Sequence, residues 1–304
     1  MLNRFGLRTS LNAVFVSVVV LADAVGAREL FVNNLTGDDR SDARLPTSTA
    51  DGGPVRTIGR ALHLATAGDH IVVANTGTPY REALSLSAAN HSGVSVRPFL
   101  IEGNGAVLDG SLPVPTDAWE PVVGELFRFR PPAGGYHQLF LGARPLVKKP
   151  VDALEGRLPE LAPGEWCSHG GAIYFRAERG KAPRDYDLSY AALPVGITLY
   201  HVHDVRIVDL VVQGFRRDGV NAHDGCLDVR LGGLTLRGNG RAGLAVGGSS
   251  KVEADGCIIG DNRTTQVNLS GWSALSLQLC ELLDAAAPAM TRTGGKLFVD
   301  GEAR

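Results

Sequence analysis

Between Val195 and Asp284, apolar and polar positions alternate in short segments, and the segments recur. Lines begun at Gly196, Gly219, Gly243 and Gln266 fall into register. Ile197, Val220, Leu244 and Val267 share one column, and Leu199, Ala222, Val246 and Leu269 share the next but one. Further along stand Val205/Val229/Val252/Leu275, Ile207/Leu231/Ala254/Leu277, Leu210/Leu234/Cys257/Cys280 and Val212/Leu236/Ile259/Leu282. Alternation with period two is the signature of strands. Recurrence at a period of about 20 to 50 residues is that of a stacked array. Three short strands per turn, each lying over its counterpart in the next turn, predict a right-handed parallel β-helix.

The flanks read differently. Residues 1–27 carry Arg4 and Arg8, then the apolar run Leu11–Ala22, then the small residues Val25-Gly26-Ala27. This is the three-part pattern of an export signal, and the run is short for a membrane span. The mature chain is expected to begin near Arg28, secreted or periplasmic, with no membrane span left. Residues 28–110 are expected to form an opening turn of coil and an amphipathic helix with Ile58, Ala61, Leu62 and Ala65 on one face, ending at Gly68. Such a helix would cover the apolar cross-section that a terminal turn exposes. Residues 111–191 break the rhythm with ten prolines and strands at Leu126–Arg130, His137–Leu141, Pro145–Lys148 and Ala172–Arg176. They predict an inserted antiparallel β subdomain, after which 192–304 hold the main coils.

Composition adds a few limits. The 304 residues include 38 glycines, suited to a fold with many corners, and the net charge of −2 gives no electrostatic pull toward nucleic acid. Four cysteines remain after export. Cys257 and Cys280 stack in an inward column, where two thiols or a disulfide both fit. Asn239 and Asn262, at matching corners, read as a structural asparagine stack.

The opening string FVNN-x-TGDD…RTIGRALHLA-x-AGD-x-IVV…YREALSL resembles the start of secreted right-handed β-helix proteins of the pectin-lyase-like superfamily, over about sixty residues. The strings YHQLFLGARPLVKKP and GEWCSHGGAIYFRAERGKAPRDYDLSY resemble an insertion found in β-helix glycoside hydrolases. The resemblance implies a carbohydrate-active protein that takes a polysaccharide or oligosaccharide and acts as a monomer. On that reading Trp119 and Trp166 are placed to stack on sugar rings; the alternative is that they plug the insertion against the coil.

The candidate chemistry lies on the outward side of each first strand. Alternation puts Thr198, Asn221 and Asn268 there, with Tyr200 and His223 beside them and Arg217, Asp218 and Arg241 just ahead. Arg217 and Arg241 are expected to be neighbours with an anion, such as a uronate carboxylate, between them. The segment RDGVNAHDG (217–225) resembles the first-strand segments of pectin-degrading β-helix hydrolases, although only in part. Asp218 and Asp224 lie six residues apart on one strand, roughly 20 Å at about 3.3 Å per residue. Glycosidase carboxyl pairs stand about 5 to 9.5 Å apart. A hydrolase would therefore need a second acid from Glu120, Glu125, Asp152, Glu155 or Glu165. A lyase needs one base and a positive charge, for which His223, Asp218 and Arg241 are the catalytic candidates. Arg217, Asn221, Asp224, Tyr200 and Asn268 are the substrate-binding candidates. Lyase and glycosidase both stay open, and a non-catalytic β-helix that binds a surface or matrix is the alternative. No cofactor is required by this reading. His201, His203 and Asp204 read as a corner rather than a metal site, and Asp38 and Asp39 suggest Ca²⁺ only weakly.

Overall fold

The computed structural model describes residues 27–151, 157–284 and 287–304. The expected export signal therefore lies almost wholly outside the described residues, as do Asp152 and Glu155. The chain is almost entirely β, and its main sheet has sixteen strands, nearly all paired in parallel and curled back on itself. One face of the curl is built by Leu84–Ser87, Ile197–Tyr200, Asp218–Asp224, Ala242–Val246 and the first half of Thr265–Gln278. The other runs from Glu29–Val32 through His70–Val73, Phe99–Asp109, His203–Gln213, Leu227–Gly232 and Lys251–Asp255. Strand Thr265–Gln278 belongs to both. It pairs with Ala242–Val246 through Thr265–Leu269 and with Lys251–Asp255 through Ala274–Gln278, so the sheet bends between these halves.

The repeat fixes this register. Ile197 pairs with Val220, Val220 with Leu244, and Leu244 with Val267. Val205, Val229, Val252 and Leu275 do the same on the second face, and Val212, Leu236, Ile259 and Leu282 on a short third. Nearly all these side chains are buried in one continuous core. A slip of one residue would turn a whole column outward, and each buried Val or Leu contributes about 1.5–3 kcal/mol. That is why the register is so well defined. Cys257 and Cys280 occupy their column as free thiols.

The helix spans Ile58–Leu64 and buries Ile58, Ala61 and Leu62. Thr57 caps it by accepting from the Arg60 amide (3.1 Å), and the Glu82 carboxylate accepts from the amides of Ile58 (2.9 Å) and Gly59 (2.8 Å). The Asp39 carboxylate takes the amides of Arg56 and Thr57, both at 2.9 Å, so it serves to fasten the helix start. Asp38 accepts from the Arg40 amide in a local turn.

Two four-stranded antiparallel sheets lie between Asp109 and Ile197. One contains Trp119–Val123, Leu126–Phe129, Ala172–Arg176 and Trp166–His169; the other contains Ser111–Pro113, Leu188–Ala191, Leu139–Leu141 and Arg144–Pro145. They share a core of their own in which Phe129, Trp166 and Phe175 pack with Leu139 and Tyr190. This unit rests on a corner of the coil. A Cβ on Gly240 would stand 2.3 Å from the Arg216 carbonyl and 2.4 Å from that of Tyr136, so only glycine admits the loop that carries Tyr136. Arg263 Nη1 donates to the His137 carbonyl (3.1 Å) at the same contact.

At the same corner the asparagines stack. Asn262 Oδ1 accepts from both the backbone amide (3.0 Å) and the side-chain amide (2.9 Å) of Asn239. Asn239 Oδ1 in turn accepts from the Phe215 amide (3.1 Å), and Gln266 Oε1 completes the series on Asn262. Both asparagines are fully buried.

Candidate functional site

On the first face the outward positions form straight rows. Ser85, Thr198, Asn221, Ala245, Asn268 and Thr291 follow one another in register, a strand spacing of about 4.8 Å apart. Asn221 and Asn268 are half-buried, and Ala245 between them forms a shallow dip. The neighbouring border is aromatic. Tyr200 is 48% exposed, its ring edge-on to His201 (4.3 Å between centroids) and to His223 (5.8 Å). A register shift after Leu199 pairs Tyr200 with Asp224, which draws His223 beside the phenol ring. Three strands further along, at the bend that follows Gly271 and ends this face, Trp272 stands 92% exposed. Gly247 and Gly248 leave the floor between them flat.

The opposite border departs from expectation. Asp218 is fully buried, not displayed. Arg241 from the next turn folds over it and donates from Nε to Oδ1 (2.7 Å) and from Nη2 to Oδ2 (2.5 Å). The Asn221 amide approaches the same carboxylate at 3.3 Å. This pairing holds the Arg241 guanidinium even more firmly protonated than usual. The positive charge expected to share an anion with Arg217 is thus already neutralised inside the protein, and Arg217 alone remains exposed. Asp224 is also occupied. Its Oδ1 accepts from the Ser249 amide (3.0 Å) and hydroxyl (3.3 Å), and the amide bond chiefly holds its carboxyl below the ordinary range. It fastens the corner.

The three catalytic candidates do not converge. Asp218 and His223 lie five residues apart on one extended strand, about 16 Å, with Arg241 at the Asp218 end. His223, exposed beside Tyr200, is too far from that pair to act on the same bond. Of the acids nominated as a second carboxylate, Glu120 pairs with Arg128, and Glu165 with Lys149 (3.0 Å) and the Ala162 amide (2.7 Å). Trp166 is fully buried with its indole N–H on the Leu146 carbonyl (3.0 Å), and Trp119 leans on Phe129 and Phe175. Both fill the core between the antiparallel sheets, so neither is a sugar platform. His203 Nδ1 meets Asp204 at 3.2 Å on a corner where Asp204 has φ of 50°. Among the described residues, no group of three His, Cys, Asp or Glu lies close enough to hold a metal ion.

Sequence reasoning passed over Trp272. It follows Gly271, whose φ of 72° starts the bend within Thr265–Gln278, and the alternation that assigns faces ends there. An unpaired tryptophan just past a glycine in a strand pattern was the available signal. A second feature, a cleft between the antiparallel unit and the coil near Lys148 and Arg263, needs residues more than a hundred positions apart.

No protein-family model matches the chain, and no curated protein sequence does. Among solved structures, one described as a glycoside hydrolase superposes with a TM-score of 0.58 at 12% identity, covering 84% of this chain and 73% of that one. A complex of XylC with xylose superposes at 0.43 and 13% identity, covering 89% of this chain and 69% of its own. The first likeness is one of fold: a large parallel sheet curled on itself.

Proposed function

We propose that this chain is an exported carbohydrate-binding protein, a right-handed parallel β-helix whose first-strand face holds an extended polysaccharide along the stacking axis. The helix Ile58–Leu64 caps the coil, residues 111–191 are the inserted subdomain, and the signal is removed near Arg28. The reading rests on the border formed by Tyr200, His223 and Trp272. A tryptophan 92% exposed leaves a large apolar ring in water, and a pyranose face is the partner that flat ring suits. Asn221, Asn268 and Thr198, at regular spacing beside it, present amides and a hydroxyl to sugar hydroxyls. Arg217 at the far border suits a uronate carboxylate. The fold shared with a glycoside hydrolase supports the same class of ligand.

The strip is a binding surface rather than a cutting one, because Asp218, Arg241 and Asp224 are committed to internal contacts. Retardation of the protein in gels containing neutral or uronate polysaccharides tests the reading. Trp272→Ala is expected to weaken binding about ten- to thirtyfold, from lost ring area and stacking. Equal retardation of wild type and variant on every gel would sink the proposal. The same samples should release neither reducing ends nor unsaturated uronates. Product that disappears in His223→Ala would restore the catalytic reading. Intact-mass measurement of the exported protein should find Arg28 or a close neighbour at its N-terminus, and a retained Met1 would contradict export with cleavage.

A further inference from the structure

The antiparallel unit does not close tightly on the coil. Between its Gln138 and Lys148 segments and the corner at Asp261 and Arg263 lies a cleft of about 710 Å³, in the range of small-ligand sites. Val147 stands 91% exposed on its wall, and Ser168 offers a hydroxyl.

Charge in this cleft is unbalanced. Lys148 and Arg263 line it, and the charges of both, with that of Arg216, bear on the ring of His137. Among the described residues, no carboxylate forms an ion pair with any of the four. Arg263 donates to the His137 carbonyl, and the Lys148 ammonium lies 5.7 Å from the centre of the Trp166 ring. Asp261, the one acid among the described lining residues, is exposed. His137 is 3% exposed, and its Nδ1 has no hydrogen-bond partner. Burial, and then the Arg263 charge, pulls Lys148 down to about 8. Burial and the three cations likewise pull His137 below its ordinary value. Cations gathered in a partly desolvated cleft repel one another, and a bound oxyanion is the ligand that relieves this.

We propose that the cleft binds an acidic mono- or disaccharide, its oxyanion clamped between Lys148 and Arg263 and an apolar ring edge against Val147. The guanidinium supplies a two-pronged contact to a carboxylate, and the ammonium a point charge. The oxyanion clamp stands on the cleft alone, whereas the sugar portion of the ligand rests on the carbohydrate reading above.

Calorimetric titration with glucuronate, glucose and inorganic sulfate tests it. Glucuronate should bind, and Lys148→Met and Arg263→Met should each weaken it at least about tenfold. Lys148→Met should keep or raise the urea midpoint, because it removes a partly buried ammonium that no described carboxylate pairs with. Arg263→Met also gives up the hydrogen bond to the His137 carbonyl, so Lys148→Met is the variant in which weaker binding would not reflect unfolding. A loaded anion should also lift the titration midpoint of Lys148 above about 8, read by NMR of the labelled side chain. Glucuronate affinity should fall as pH rises through the free protein's value and the ammonium is lost. The groups facing Lys148 there are Arg263, Cys167, His137 and Asp261. Glucuronate binding that ignores both substitutions, or none at all, would overturn the site. Glucose binding as tightly as glucuronate would remove the clamp, and sulfate binding as tightly would remove the sugar.

Discussion

Asp218→Ala is expected to cost about 3–5 kcal/mol of stability, the loss typical when one partner of a buried ion pair is removed. Asp218 has no exposed surface and holds Arg241 through two hydrogen bonds. Without the carboxylate, a guanidinium whose side chain is only 21% exposed is left without its counter-charge. Urea unfolding reads the loss, and Asp218→Ala combined with Arg241→Met should recover part of it, since the stranded charge is then gone. A single-variant loss below about 1 kcal/mol would mean that the pair does not hold the turn. The ordering matters for function. If Arg241→Ala weakens polysaccharide binding, its urea midpoint should fall with it, because Arg241 acts on the strip through Asp218 and Asn221 rather than by touching an anion.

The second large effect is expected at Asn262. Its Oδ1 accepts from the backbone and side-chain amides of Asn239, and its own amide donates to the Leu236 carbonyl at 2.9 Å. Asn262→Ala strands these groups in a buried corner, at about 1–3 kcal/mol for each one left unsatisfied, so a loss of about 3 kcal/mol or more is expected. Amide exchange offers a local check, because the Asn239 N–H should lose protection before the core strands do. Unchanged protection at Asn239 would show that the stack is incidental.

Much of this architecture was legible because columns carry it. Val220, Leu244 and Val267 are each apolar, each two residues from the next inward position, and each pairs where the repeat puts it. The same arithmetic placed Asn221 and His223 outward and stacked Asn239 on Asn262. It could not place Asp218. Whether a side chain just ahead of a strand is displayed or buried depends on what the next turn lays over it, and Arg241 is two dozen positions away. The tie between Asp224 and Ser249 was hidden for a similar reason, since the two lie 25 residues apart. Trp272 escaped because glycine ends the alternation before it, and the Lys148–Arg263 cleft because no repeat relates the antiparallel unit to the coil.

The asparagine stack and the apolar columns share one period, so the coil can change length only in whole steps. Excision of residues 243–265 would join Ala242 to Gln266, seat Val267 on Val220, and bring Gln266 four positions after Asn239, the offset it now has from Asn262. Every inward column would close again, whereas loss of a single residue would invert one. Tyr200 and Trp272 would then stand two strands apart instead of three. On the proposed function, the stretch of sugar chain that such a face could measure is therefore quantised, and it could be shortened or lengthened a rung at a time.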